Sequence, residues 1–342
     1  GGKEPSAQYR FMSSSFDSEI SQRKRLSEEF VVISDVKDMK RLWKVEKLHQ
    51  FNGHHQGIYG LAFEAESGCL FSSGADGFVV RWKPGVSDQG ELIARIPEPV
   101  FVLLSLRKDI LLAGTAHGFI YVIQFGKNPG VRILNAHSGG VFALVKTASG
   151  EGWYSGGKDG YLLEWNNLGS WTLGKKCSEE SLRCISVAGD KIAAGFSDYH
   201  IREWKPFNGG EPVHDIIAHH NSVFSIAYSK DGRWLFSGGR DAALKQWDVQ
   251  NGLQLLREVP AHWSHINHLD VSPNGNMIAT ASMDKTIRIW EAETLELLKV
   301  IDATKTEAHN SSVNRVVWLD HERIASCADD RTIRVFRIFP AD

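Results

Sequence analysis

Histidine, hydroxyl and aspartate residues recur together along this 342-residue chain in a spacing that suggests acid–base chemistry. In each set a His precedes an Asp by 21 or 22 residues, and a Ser or Thr stands four residues before that Asp. A Ser–His–Asp triad is the nucleophilic machinery of many hydrolases. The sets are His54, Ser72 and Asp76; His137, Ser155 and Asp159; His219, Ser237 and Asp241; His262, Thr280 and Asp284; and His309, Ser326 and Asp330.

A catalytic role for these sets is not expected. No GxSxG nucleophile elbow surrounds any of the serines. A reactive constellation should also occur once in a protein, whereas this one recurs five times. An aromatic residue follows each Asp by six positions, and these residues are Trp82, Trp165, Trp247, Trp290 and Phe336. Because buried polar groups need partners, we predict structural hydrogen-bond networks and no enzyme activity.

Composition and cysteine use narrow the remaining functions. With 39 Lys+Arg against 41 Asp+Glu there is no basic excess, so no nucleic-acid partner is predicted. The four cysteines form no CxxC pair, and the His262-x-x-His265-x-x-His268 spacing suits no zinc site, so neither metal nor cofactor is expected. No run approaches 18 apolar residues and no signal-peptide pattern opens the chain, which predicts a cytoplasmic protein without a membrane partner.

Tryptophans mark a repeat that must position these sets. Trp82, Trp165, Trp204, Trp247 and Trp290 are separated by 83, 39, 43 and 43 residues, and the first gap equals two periods. One further period reaches Phe336, so the chain contains seven units of about 40–46 residues. Within the units, apolar and polar residues alternate between Gly- or Asp-containing turns, which predicts short half-buried strands.

The dipeptides that begin and end the units carry a family resemblance. "GH" at 53–54, "AH" at 136–137, 218–219, 261–262 and 308–309, and "WD" at 247–248 are similar to the motif pairs of WD40 proteins. The resemblance implies an all-β, seven-bladed WD40 propeller over 41–342, built from four-stranded antiparallel blades. It also implies that a strand at about 42–51 completes the last blade and closes the ring.

Two units depart from the motif. The second, roughly 91–126, has Ala113, His117 and Ile123 at the hydroxyl, Asp and Trp positions and lacks the leading His. The fourth, roughly 171–206, keeps Asp198 and Trp204 but also lacks that His. Their assignment as blades rests on spacing and on flanking apolar alternation.

The resemblance also implies where a partner would bind. In WD40 proteins, contacts at the top rim come from the fifth residue after the motif His and from the residue before the turn Asp. These positions, with Phe101 and Arg183 added by phase and Trp263 as a neighbour, give a predicted protein- or peptide-binding surface of Tyr59, Phe101, Phe142, Lys158, Arg183, Phe224, Arg240, Trp263, Asn267, Met283 and Asn314. Alternatively, the aromatic members plug the channel and pack on one another. An enzyme or small-ligand propeller would instead need carboxylates or a metal converging on the funnel.

Residues 1–40 lie outside the repeat and form a separate leader. Its first two glycines resemble a cloning scar, so the leader is either an appended peptide or a native extension. Phe30 and Ile33 follow Glu28 and Glu29, which resembles the short motif that binds ubiquitin-like autophagy modifiers by strand addition. The leader could therefore itself be a ligand, or supply a short strand.

Overall fold

Seven four-stranded sheets make up the described part of the protein, residues 43–341 of a computed structural model. Each sheet is antiparallel, six of the seven follow chain order, and the seventh combines β1 with the last three strands, which confirms the predicted seven-bladed propeller. The leader with Phe30 and Ile33 lies outside the described residues. In chain order the strands are β1 Trp43–Asn52, β2 Ile58–Glu64, β3 Cys69–Gly74, β4 Phe78–Lys83, β5 Ser87–Arg95, β6 Val100–Arg107, β7 Ile110–Thr115, β8 Phe119–Gln124, β9 Gly130–Asn135, β10 Val141–Lys146, β11 Gly152–Gly157, β12 Tyr161–Asn166, β13 Trp171–Lys176, β14 Leu182–Ala188, β15 Lys191–Phe196, β16 His200–Trp204, β17 His214–Ile217, β18 Val223–Tyr228, β19 Trp234–Gly239, β20 Ala243–Asp248, β21 Gln254–Pro260, β22 Ile266–Val271, β23 Met277–Ser282, β24 Ile287–Glu291, β25 Leu297–Ile301, β26 Val313–Trp318, β27 Arg323–Ala328 and β28 Thr332–Pro340.

The blades are numbered 1 to 7 from β2, so that blade 1 is β2–β5 and blade 6 is β22–β25. The first strand of each blade packs against the first strand of the next, and β26 packs against β2, so these strands surround a central channel. The second and third strands are largely buried, whereas outer strands such as β9 are exposed. Strands arranged around a channel in this way hold the connecting loops on a rigid frame.

The core lies between neighbouring blades. Phe71 of blade 1 packs in one apolar cluster with Leu103 and Leu111 of blade 2, and both blades contribute fully buried side chains. Such interfaces follow from the alternation in the sequence, because each sheet has two apolar faces and each must be covered by a neighbour. A repeat protein of this kind therefore needs the complete ring to bury its apolar surface.

Blade 7 joins the two ends of the described chain. It consists of β26, β27, β28 and β1, and β1 pairs antiparallel with β28 from Trp43 opposite Pro340 to Asn52 opposite Thr332. The predicted closure by an N-terminal strand is thus confirmed. Closure matters physically because it leaves no open sheet edge between the first and last blades.

One short helix interrupts the β-structure of the described residues. α1 spans Ala303–Thr306, and the Asp302 side chain caps its start by accepting hydrogen bonds from the backbone N–H groups of Thr304 and Lys305. Sequence periodicity did not predict it, because four residues are too few to show a helical pattern. No helix within 43–341 has the length and apolar character needed to cross a bilayer.

Candidate functional site

The five His–hydroxyl–Asp sets form buried hydrogen-bond relays, one each in blades 1, 3, 5, 6 and 7. In blade 5 the Nδ1 of His219 lies 2.9 Å from an Asp241 oxygen, and its Nε2 lies 2.7 Å from the Ser237 hydroxyl. The indole N–H of Trp247 donates to the same hydroxyl at 2.8 Å. Equivalent bonds join the sets of His54, His137 and His262 to Trp82, Trp165 and Trp290, while blade 7 has Phe336 in place of the Trp.

The relay fixes the proton positions. A neutral imidazole has one N–H and one lone pair, so His219 donates from Nδ1 to Asp241 and accepts from the Ser237 hydroxyl at Nε2. Burial opposes the charge of Asp241, but the hydrogen bond from His219 outweighs it and the pKa of this carboxyl falls to about 2. Burial also lowers the pKa of His262 and of His309, which favours the neutral ring. The five Asp carboxylates are hydrogen-bonded within the relays and do not converge on a reactive cleft.

Blades 2 and 4 hold their top turns with other polar groups. In blade 2, Glu98 accepts from the backbone N–H of His117 at 2.8 Å and from its Nδ1 at 2.7 Å. In blade 4, Asp198 accepts from the Ser178 hydroxyl at 2.7 Å and from Arg202 at 2.9 Å. The indole of Trp204 donates to the backbone carbonyl of Gly210 in place of a core hydroxyl, and sequence reasoning identified none of these substitute partners.

One predicted rim residue from each blade lies at a β-bulge in the first strand of that blade. Each is the second residue of its strand and has no Cα partner on the neighbouring strand, because the register shifts there. A bulge re-aims the side chain that it carries. We call this set the mouth ring: Tyr59, Phe101, Phe142, Arg183, Phe224, Asn267 and Asn314.

The mouth ring has an aromatic residue in blades 1, 2, 3 and 5 and Arg183 in blade 4, and we call these five positions the aromatic arc. The ring centroid of Phe101 lies 5.9 Å from that of Tyr59 and 5.8 Å from that of Phe142. The guanidinium of Arg183 lies 4.4 Å from the centroid of Phe142 and 5.8 Å from that of Phe224. These side chains are half-buried, so they narrow the channel mouth while one side of each stays accessible.

Amides complete the mouth ring over blades 6 and 7. Asn267 donates to the Val313 carbonyl at 2.9 Å, and Asn314 donates to Asp329 at 2.7 Å and to the Ile58 carbonyl at 2.9 Å. Both side chains thus bridge to the next blade. Burial, and then the charge of Asp329, raise the pKa of the Tyr59 phenol.

Positive charge accumulates beside the aromatic arc. Lys158 and Arg240 are exposed, and neither they nor Arg183 form an ion pair with any carboxylate of the described chain. Burial lowers the pKa of Arg183, and the charge of Arg240 lowers it further. Arg183 is held by a hydrogen bond to the Ser197 hydroxyl at 2.8 Å. These cations could receive an anionic partner at the rim of blades 3 to 5.

Two large apolar side chains stand exposed on the same face. Trp263 is 80% exposed and Met283 is 51% exposed, and both flank the relay of blade 6. The backbone N–H of Trp263 donates to Asp284, which fixes the loop while the indole remains free. Tryptophan and methionine are among the residue types enriched at protein interfaces.

The three histidines of the predicted cluster serve different places. His262 belongs to the relay, His265 lies edge-on to Phe224 at 6.0 Å, and His268 stands on β22 with its Nδ1 buried and without a hydrogen-bond partner. No group of His, Cys, Asp or Glu with metal-binding geometry occurs among residues 43–341. Sequence reasoning missed His265 as a mouth residue, although its position two residues before the bulge could have indicated it.

Comparisons with known proteins agree with this architecture. The WD40 family model, described as "WD domain, G-beta repeat", matches residues 45–83, 210–248, 253–291 and 302–337. The solved structure of the WD40 beta propeller domain of Doa1 superposes with a TM-score of 0.75 at 22% identity, covering 86% of this chain and 96% of that one.

A curated relative extends beyond this chain. Autophagy-related protein 16 of Arabidopsis thaliana is 23% identical over 202 residues, which are 56% of this chain and 38% of the relative. This chain therefore spans well under half of the relative's length.

Proposed function

Because this chain carries the repeats of the WD40 family, we propose that it is a non-catalytic scaffold that binds a protein or peptide on its top face. The bound segment is acidic, lies across the mouth ring and extends over Trp263 and Met283. The proposal concerns recognition only, since the acid–base groups of five blades are engaged in the relays.

The uncompensated charge at blades 3 to 5 carries this proposal. Lys158, Arg183 and Arg240 have no carboxylate partner within the described chain, so an acidic segment would supply one. Charge complementarity of this kind raises association rates and rejects partners of the wrong sign. Aromatic and Arg side chains beside these cations are the residue types that most often anchor an interface.

Rigidity of the mouth ring lowers the cost of binding. Each ring side chain stands on a bulge in an innermost strand, and ring stacking, cation–π contact or amide hydrogen bonds hold it in place. A surface that is already ordered loses little side-chain entropy when a partner binds. The packing of the aromatic members on one another is therefore compatible with a binding role.

A charge-graded peptide library tests the proposal. The wild-type chain is screened against immobilised 12-residue peptides that contain one Trp or Phe and range from strongly acidic to strongly basic. We expect acidic peptides to be retained and basic ones to be lost. The triple variant Tyr59→Ala, Phe142→Ala, Phe224→Ala and the double variant Lys158→Ser, Arg240→Ser should each lose binding at least about tenfold.

A variant on the opposite face serves as the matched control. Leu168 and Trp171 are 75% and 64% exposed near the β12–β13 turn at the bottom of blade 3. The double variant Leu168→Ala, Trp171→Ala removes comparable apolar surface and should bind acidic peptides like the wild type. If the top-face variants still bound acidic peptides, or if the bottom-face control lost that binding, the site would lie away from the mouth ring.

A further inference from the structure

A groove opens at the bottom of the propeller between blades 3 and 4. Its volume is about 440 Å³, which lies within the range of small-molecule sites. The β10–β11 turn and β12 supply its blade 3 wall, and the β14–β15 turn and the segment after β16 supply its blade 4 wall. None of its lining residues belongs to the mouth ring, so the groove is distinct from the proposed peptide surface and does not depend on it.

Aromatic and aliphatic side chains form the apolar part of the groove. Tyr154, Trp165 and Phe207 line it, and the rings of Tyr154 and Phe207 meet edge to face with centroids 6.1 Å apart. Val187 and Ile192 of blade 4 extend this apolar surface. A ligand in the groove would therefore bury an apolar body against rings that are already held in place.

Three carboxylates line the groove, and no Lys, Arg or His is among its lining residues. Glu151 and Asp190 are exposed on turns of the two blades, whereas Glu164 is half-buried on β12. None of the three forms an ion pair within residues 43–341. The groove thus presents uncompensated negative charge beside an apolar surface.

Glu164 is the least exposed of these carboxylates and has few donors around it. It pairs in register with Tyr154 on β11 and with Leu173 on β13. Burial raises the pKa of Glu164, and the hydrogen bond from Tyr154 offsets this only in part. Burial, and then the charge of Glu164, raise the pKa of Tyr154 to about 12, so the phenol stays protonated. A carboxylate has about four acceptor sites, and Leu173 cannot donate to any of them.

The interface between blades 4 and 5 shows how the chain satisfies a carboxylate at this position. Glu203 on β16 comes directly before the Trp of its blade, as Glu164 does on β12. One oxygen of Glu203 accepts from the Tyr228 hydroxyl, and the other accepts from Nδ1 of His214 at 2.8 Å. Both oxygens therefore have donors, although Glu203 is buried.

The corresponding positions at the groove carry no such donors. Val187 on β14 has the same register position as Tyr228 on β18. Leu173 on β13 has the register position of His214 on β17. A short aliphatic side chain thus replaces an aromatic ring at the first position, and no nitrogen donor remains at the second. The groove lacks one ring and one N–H group that the next interface supplies from within the chain.

We propose that this groove binds a small aromatic amine, protonated at neutral pH, whose ammonium group pairs with Glu164. The aromatic body of the ligand occupies the space that Val187 leaves open, and its N–H groups donate to the free acceptor sites of the carboxylate. The charges of Glu151 and Asp190 attract the cation and disfavour anionic ligands. Aromatic rings beside the ammonium group add cation–π attraction.

Saturation-transfer NMR titrations of the full chain at pH 7 with phenethylamine, phenethyl alcohol and phenylpropionate test the site. These probes share the ring and differ in charge. We expect the amine to bind at least about tenfold more tightly than the alcohol, because hydrogen bonds to ionised groups are stronger than neutral ones. The anionic probe should not bind. Butylamine, which has the charge without the ring, should bind more weakly than phenethylamine.

Two variants separate the charge from the space. Glu164→Gln keeps the side-chain size and removes the charge, and should weaken phenethylamine binding at least about tenfold. Val187→Tyr introduces the ring that blade 5 carries at this position, and should block binding because it fills the groove. Glu293→Gln is the matched control, since it removes an exposed carboxylate from the β24–β25 turn at the bottom of blade 6 and should bind like the wild type.

Thermal melting of each variant checks folding. The proposal is overturned by equal affinity for the amine and the alcohol, by wild-type affinity in Glu164→Gln, or by no response to tens of millimolar phenethylamine. An equal loss in Glu164→Gln and Glu293→Gln would also overturn it, because the attraction would then be general to the surface. If Val187→Tyr does not fold, the comparison of Glu164→Gln with Glu293→Gln still decides the outcome.

Discussion

Blades with the relay and blades without it satisfy their polar groups in different ways. Blade 5 buries a His, a Ser and an Asp whose bonds reach the indole of Trp247. Blades 2 and 4 have no such His, and their core hydroxyl positions are held by Ala113 and Ala194, both fully buried. Glu98 and Asp198 hold the top turns of these blades, and in blade 4 the Trp204 indole donates to the Gly210 carbonyl.

The difference shows that the relay is a coupled unit. A buried hydroxyl without its His would leave a polar atom unsatisfied, and so would a His without its hydroxyl. Loss of both together, with Ala in the core, leaves nothing unpaired. Blades 2 and 4 therefore keep the strand geometry without the relay, which explains how the fold tolerates departures that weaken its sequence motif.

The largest expected effect is that low pH destabilises the blades with the relay more than the blades without it. The pKa values of Asp241 and Asp330 are about 2, against an ordinary value of 3.8. Because the folded values are depressed, their contribution is complete above about pH 5 and is lost as the pH falls through the folded pKa, on the order of 2 kcal/mol for each. Hydrogen exchange between pH 5 and 2.5 should show strands β18–β20 losing protection before β6–β8. Simultaneous loss would contradict this view of the relays.

Removal of one relay carboxylate should have the next largest effect. Asp241→Ala leaves the fully buried His219 and Ser237 without a complete network, and we expect a loss of about 1–3 kcal/mol in the free energy of unfolding. Urea denaturation measures this. Phe224→Ala in the same blade is the control, and its half-buried position on the mouth ring should limit the loss to less than about 1 kcal/mol. Equal losses would mean that Phe224 serves mainly to support the blade.

The substitute pair of blade 2 should be the least costly to break. Glu98→Ala removes two hydrogen bonds from His117, whose side chain is 72% exposed, so water can replace the lost acceptor. We expect a loss of about 0.5–1.5 kcal/mol by urea denaturation. Glu98→Gln keeps an acceptor and should recover part of it. A loss as large as that of Asp241→Ala would show that the two kinds of blade are equally dependent on their polar groups.

Sequence reasoning predicted the fold because the repeat is periodic. The spacing from His219 to Asp241 and Trp247 specifies one blade, and its recurrence predicts the ring and its closure by β1. The positions of Glu98 and Ser178 were not predicted, because their partners differ in type and spacing from the motif. Periodicity identifies what is repeated, and substitutions that occur once give no periodic signal.

The channel was beyond sequence reasoning for a different reason. The bulges shift the register within each first strand, and strict alternation along the sequence does not show them. His268 and Arg315 lie 47 residues apart, yet each follows the bulge in the first strand of its blade, and these two strands pack against each other. The strand register and the packing of the blades determine which of these positions become neighbours.

The pairing of β1 with β28 constrains the order in which the strands of this protein can pair during synthesis. All the other described strands lie between these two in the chain, so during synthesis β1 stays unpaired until β28 has left the ribosome. Before that, each blade can pack against the one before it, but blade 7 is incomplete and the ring stays open. A truncation that removes β28 would therefore leave β1 without its partner strand and expose apolar side chains that β28 contributes to the core.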